Sequence, residues 1–99
     1  MHVGVCRIKL HLPGSQSLKD KRHVIKSLLT RVRNSFNVSI CEIEERDLWQ
    51  VAVLGISCTG TDVGRMREFL YRVVDFISSN EYEAEVSECE VDVLTVFDS

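Results

Sequence analysis

Two amphipathic helical stripes lie among four strand-like segments in the order β-α-β-β-α-β, and that order leaves few ways to build a core. The first segment, Val3 to Leu12, alternates. Cys6, Ile8, Leu10 and Leu12 share one face; Val3, Val5, Arg7, Lys9 and His11 share the other. Period two over ten residues predicts a strand with one apolar face. Pro13-Gly14 ends it, because Pro has no N–H and Gly takes dihedrals that other residues avoid. Leu18, Ile25, Leu28, Leu29, Val32 and Phe36 then recur at helical spacing, a stripe about five turns long. Ser17 is the expected N-cap, with Asp20 three residues on at the positive helix end. Val38–Glu44 and Leu48–Cys58 read as an antiparallel hairpin closed by Glu45-Arg46-Asp47. In its second strand, Leu54, Ile56 and Cys58 share one face, and Trp49, Val51, Val53 and Ser57 the other. After the loop Thr59-Gly60-Thr61-Asp62, a second helical stripe runs through Val63, Met66, Phe69, Leu70, Val73 and Ile77 and ends near Ser79-Asn80. Glu83 to Phe97 is the last strand. Its phase breaks at Val86, which predicts a bulge near Ser87.

With right-handed crossovers, this order gives an α+β, ferredoxin-like βαββαβ two-layer sandwich. Two helices pack on one face of a four-stranded antiparallel sheet. The first and third strands are central, and the second and fourth are edges. The acids on the edge segments fit that assignment, since charge on an edge deters pairing with other chains. Residues 1–99 form one domain, because a chain of 99 residues holds a single core. The longest aliphatic run, Val51–Ile56, is far short of the roughly 20 residues that a membrane helix needs. The strand pattern starts at the amino terminus, so no export signal is expected and a cytoplasmic location follows.

Cys6, Cys41, Cys58 and Cys89 contain no CxxC pair, so no zinc or iron–sulfur site, and no other metal or cofactor, is expected. All four fall on phases assigned to the helix-facing side, where reduced thiols act as small hydrophobes. There is no P-loop, GxSxG or HExxH, and His2, His11 and His23 form no metal triad. The glycine-rich phosphate loop of acylphosphatases is missing after the first strand. The expectation is a protein that is not an enzyme, with no catalytic residues.

Charge is distributed unevenly. The whole chain carries −3, but residues 1–35 hold eight Lys/Arg against one acid, and residues 36–99 hold four Arg against fourteen acids. Such asymmetry points to a charged partner at one surface. On the first helix, Lys19, Arg22, His23, Lys26, Thr30 and Arg33 form a ridge beside the apolar stripe, linked by spacings of three and four. Lys21 and Arg31 lie on the other flank. A cationic ridge of this kind can follow the phosphates of a nucleic acid. RNA or a ribosomal subunit is therefore the expected partner, with Lys19, Lys21, Arg22, His23, Lys26 and Arg33 as contact residues. No DNA sequence specificity and no membrane partner are expected. An acidic protein partner, or neutralisation by the edge acids, are the other readings of the ridge.

The open sheet face carries Val3, Val5, Trp49, Val51 and Val53 beside Arg7, Lys9 and the acids of the last strand. A charge-rimmed apolar patch marks a partner surface. A homodimer assembled through these five residues is thus the alternative function, that of a protein–protein adaptor. Base stacking on this face, as in an RRM, is excluded by the lack of the aromatic motif and by the nearby carboxylates.

Leu10-His11-Leu12-Pro13-Gly14 followed by Ser17-Leu18-Lys19-Asp20-Lys21-Arg22 resembles the YlxP-like family of small bacterial proteins. Phe36-Asn37-Val38-Ser39, Glu42, Asp47-Leu48-Trp49-Gln50 and Leu54-Gly55 continue the likeness in register. The resemblance implies a ferredoxin-like fold. Family members tend to be encoded near translation-initiation and ribosome-maturation genes, which implies a ribosome or RNA role. No catalytic residues are defined for the family, so none carries over.

Overall fold

The computed structural model describes residues 1–79 and 84–97. β1 runs His2–His11, α1 Leu18–Ser35, β2 Ser39–Glu44, β3 Val51–Gly60, α2 Val63–Ser78 and β4 Glu85–Thr95. The strands pair antiparallel in the order β2-β3-β1-β4. β1 and β3 are central and both helices cover one face, so the fold is the expected ferredoxin-like sandwich. Asn80 and Glu83, the expected ends of the second helix and start of the last strand, lie outside the described residues.

The core follows from the two periodicities. Cys6, Ile8 and Leu10 of β1, Ile40 of β2, and Ala52, Leu54 and Ile56 of β3 meet Ile25, Leu28 and Val32 of α1 and Leu70, Val73 and Ile77 of α2. Each is buried, and full burial of a Leu or Ile side chain contributes about 1.5–3 kcal/mol. At Gly4, α2 comes so near to β1 that a Cβ would stand 2.9 Å from Leu70 Cδ1 and 3.0 Å from Cys58 Sγ, which is why the strand carries no side chain there.

Local signals place the element ends. Asp20 N–H donates to Ser17 Oγ at 3.0 Å, and Asp20 Oδ2 accepts from Gln16 N–H at 3.0 Å, a reciprocal cap. Asp62 caps α2 by accepting from Arg65 N–H at 2.9 Å. The bulge falls where expected: Lys9 pairs with Glu88 but Leu10 with Val86, leaving Ser87 extra. A second bulge was not expected. Glu42 pairs with Leu54 and Glu44 with Val53, so Ile43 is extra and Glu44 moves to the open face.

Three expectations need correction. The β2–β3 connection spans 45–50 rather than Glu45-Arg46-Asp47, so Trp49 sits on a loop and β3 starts at Val51. Side-chain and backbone bonds hold this longer loop. Cys41 pairs with Gly55 and turns to the open face, because Ile40 and Glu42 take the helix-facing phase of β2. Cys89 shares its register with buried Ile8 but is exposed, since it stands on the edge strand.

Candidate nucleic-acid interface

α1 packs against β2 and α2 along its apolar stripe, which turns its cations outward. Lys19, Arg22, His23, Lys26 and Arg33 are exposed. Among the described residues, none of these five meets a carboxylate within ion-pair distance. Arg33 Nη2 donates to Ile40 O at 2.8 Å, which fixes that guanidinium over the outer edge of β2.

The structure divides the ridge in two. Arg22, Lys26 and Arg33 line a groove of about 700 Å³ between α1 and β2, floored by Ile25 and Leu29. Lys19 and His23 instead face a depression beside Leu12, Gly14 and Ser15 that also holds the Asp20 carboxylate. Arg46, on the β2–β3 loop, closes the far side of the first groove. Nothing in the spacing of α1 signals Arg46; its contribution depends on where the loop is held.

Lys21 holds that loop and is not a free cation. It is 1% exposed, which removes it from the expected RNA contacts. Its Nζ donates to Glu45 O and Leu48 O, both at 2.6 Å, and pairs with Glu42 Oε2 at 2.8 Å. The physical reason is phase. Leu18, Lys21, Ile25, Leu28 and Val32 are spaced three and four apart, so Lys21 stands on the buried stripe. Glu42 is carried on the inner face of β2 and supplies the compensating charge. Glu45 takes a left-handed φ of 58°, and its carbonyl receives both Lys21 Nζ and Leu48 N–H, the latter at 3.2 Å. Glu42 is thus neutralised, and Asp47 is the one other acid lining the groove of four cations.

The open sheet face has the opposite character. Arg7 Nη2 stands 3.1 Å from Glu44 Oε2, and its Nη1 lies 3.7 Å from Glu88 and 3.6 Å from Glu90. The register puts Glu88 across from Lys9 and Asp92 across from Val5. Three carboxylates therefore surround Arg7, and Asp92 instead stands 3.8 Å from Arg67 Nη2 of α2. Val3, Val5 and Val51 are half-buried and Trp49 is 50% exposed on its loop. Val53, expected in a dimer contact, is fully buried within the chain. Its ladder neighbours on that face are Lys9 and Glu44, long side chains whose stems shelter it.

The hydrogen bond and charge of Arg7 hold the Glu44 carboxyl below its ordinary value of 4.5. The folded chain therefore binds this proton less readily than the unfolded chain. The stabilisation is present above the ordinary value and is lost as pH falls through the lowered one. Glu44→Gln is expected to flatten the acid limb of stability against pH, measured by urea unfolding. Identical acid limbs in both proteins would remove the pair from the account.

Comparison with known proteins sets this site in a family. A family model described as "Protein of unknown function (DUF503)" matches residues 3–91, and the chain belongs to that family. It is 40% identical over 77 residues to "Uncharacterized protein YlxP" of Bacillus subtilis (strain 168), covering 78% of this chain and 84% of the relative. Among solved structures, a putative antibiotic biosynthesis monooxygenase from Deinococcus radiodurans superposes with a TM-score of 0.53 at 14% identity, over 100% of this chain and 95% of that one. The de novo designed protein Foldit4 gives 0.51 at 20% identity, over 95% and 98%. At these identities the two structures share the fold and carry no activity across.

Proposed function

We propose that this protein binds RNA, free or within a ribosomal subunit, through the cationic surface of α1 completed by Arg46, and that it does so as a cytoplasmic binding protein rather than an enzyme. The observation that carries the reading is the lack of neutralisation. Among the described residues Lys19, Arg22, His23, Lys26 and Arg33 stand exposed with no carboxylate in ion-pair range, while Glu44, Glu88 and Glu90 gather around Arg7 on the opposite layer. The family likeness to YlxP, with its implied link to ribosome work, agrees with that surface. The open sheet face is the weaker candidate for assembly, since two copies set face to face would bring like charges together.

Phosphate contacts release counterions, so affinity must depend steeply on salt. With contacts at Lys19, Arg22, Lys26, Arg33 and Arg46, the log–log slope for single-stranded RNA is expected near −3 to −4, at roughly 0.7 per contact. Filter binding with RNA at several salt concentrations reads this slope. Absence of binding at low salt, or a slope near zero, would overturn the reading. As a binding protein of translation or ribosome maturation, the chain is expected to co-purify with RNA at low salt.

A further inference from the structure

We infer that the groove between α1 and β2 takes an unpaired RNA strand, with bases against its aliphatic floor and phosphates on its cationic rims. The inference rests on the RNA-binding reading above and specifies its ligand. Three observations support it. First, the site is concave, at about 700 Å³, within the range of about 300–1,000 Å³ in which proteins enclose small organic groups. Second, its floor is apolar. Partly buried Leu29 faces the opening, with core Ile25 beneath it, between Arg22 and Lys26 on one side and Arg46 on the other. A surface that read phosphates alone would have no use for that floor. Third, the cations on its rims are mostly arginines, whose planar guanidinium groups stack on bases as well as bind phosphates. One of them, Arg33, is already oriented by its bond to Ile40 O at 2.8 Å.

Geometry selects against a duplex. The groove is bounded by one helix and one strand, a space that a flexible single strand can enter. In a double helix the base faces are stacked on one another and only base edges, sugars and phosphates are presented, so a duplex would reach the rim cations without laying a base face on Leu29. Discrimination thus comes from contact between base and floor, while the phosphate term is shared by both forms.

The test uses methyl-labelled protein and an RNA of about twelve nucleotides, within the roughly 4–16 that one single-strand-binding OB fold covers. It is added alone or annealed to its complement, with inorganic polyphosphate as a third ligand. The expected result is an upfield ring-current shift of the Leu29 methyl resonances with the single strand and none with duplex or polyphosphate. A Leu29→Ser variant, which removes an apolar side chain from contact with the base, is expected to lose about tenfold in affinity for the single strand and to keep its affinity for the duplex. Leu29 methyls that stay in place with the single strand, or that move equally with duplex, would overturn the groove assignment while leaving RNA binding standing. Failure of both RNAs to bind at low salt would overturn the assignment together with the reading beneath it.

Discussion

Lys21→Met is expected to destabilise the fold by about 3 kcal/mol, the scale for removing one partner of a buried ion pair. For a domain of this size that corresponds to a fall in Tm of roughly 12–24 °C. Methionine keeps the apolar stem in the stripe, so packing changes little. What is lost is the ammonium that answers Glu42 Oε2 and the carbonyls of Glu45 and Leu48. Glu42 is left with no cation, and the left-handed turn at Glu45 loses its shortest bond. Two further readouts separate this cause from general damage. Adding Glu42→Gln to Lys21→Met should recover part of the loss, because the uncompensated charge is then gone. The loop carrying Arg46 should also exchange its amides faster than in the wild type, by a larger factor than the core strands do. Thermal unfolding by circular dichroism gives the first result, and hydrogen exchange the second. A fall in stability under about 1 kcal/mol would mean that water replaces the ammonium without penalty.

The triple variant Lys19→Ala, Arg22→Ala, Lys26→Ala is expected to weaken RNA binding by roughly two orders of magnitude at about 0.1 M salt. Three lost phosphate contacts, each releasing about 0.7–0.9 of a counterion, account for that figure. The salt slope should shrink in step, by about 2–3. The fold should be preserved, because the three side chains are exposed, make no ion pair with the described residues and are replaced by a better helix former. Stability should change by no more than about 0.5 kcal/mol. Neutralising Glu88 and Glu90 to Gln on the other layer should leave RNA affinity unreduced. Binding by the triple variant at wild-type strength would place the RNA contacts elsewhere.

The layout of the molecule was legible because it depends on periodicity. Alternation in β1, the two helical stripes, the Ser17 cap and the break of phase at Val86 each act locally, and the order of elements admits one compact arrangement. The site was legible only in part, and Lys21 shows why. Counted as a charge, it joins the cationic ridge. Counted by position, it fills the gap between Leu18 and Ile25 in the buried stripe, and Glu42 likewise alternates with Ile40. An in-phase lysine on a helix and an in-phase glutamate on the adjoining strand are the signal for a buried pair, and both were present in the sequence. Arg46 offered no such signal. Its place in the groove depends on the loop that Lys21 draws inward, a tertiary effect that no local pattern carries. Val53 was misplaced for a related reason. Alternation gives the face on which a residue stands, but not whether long neighbours such as Lys9 and Glu44 close over it.

The separation of charge between the two layers has a consequence for how the molecule meets a polyanion. With a total of −3, an RNA seen from afar offers no attraction, and at physiological salt it offers little of anything beyond about 8 Å. Inside that distance the basic layer is drawn in while the acidic layer is pushed away, and the pair of forces acts as a torque. For the RNA binding proposed above, collisions in the wrong attitude would be rotated or rejected before contact, so capture would favour one pose and leave the carboxylate-bearing side looking outward.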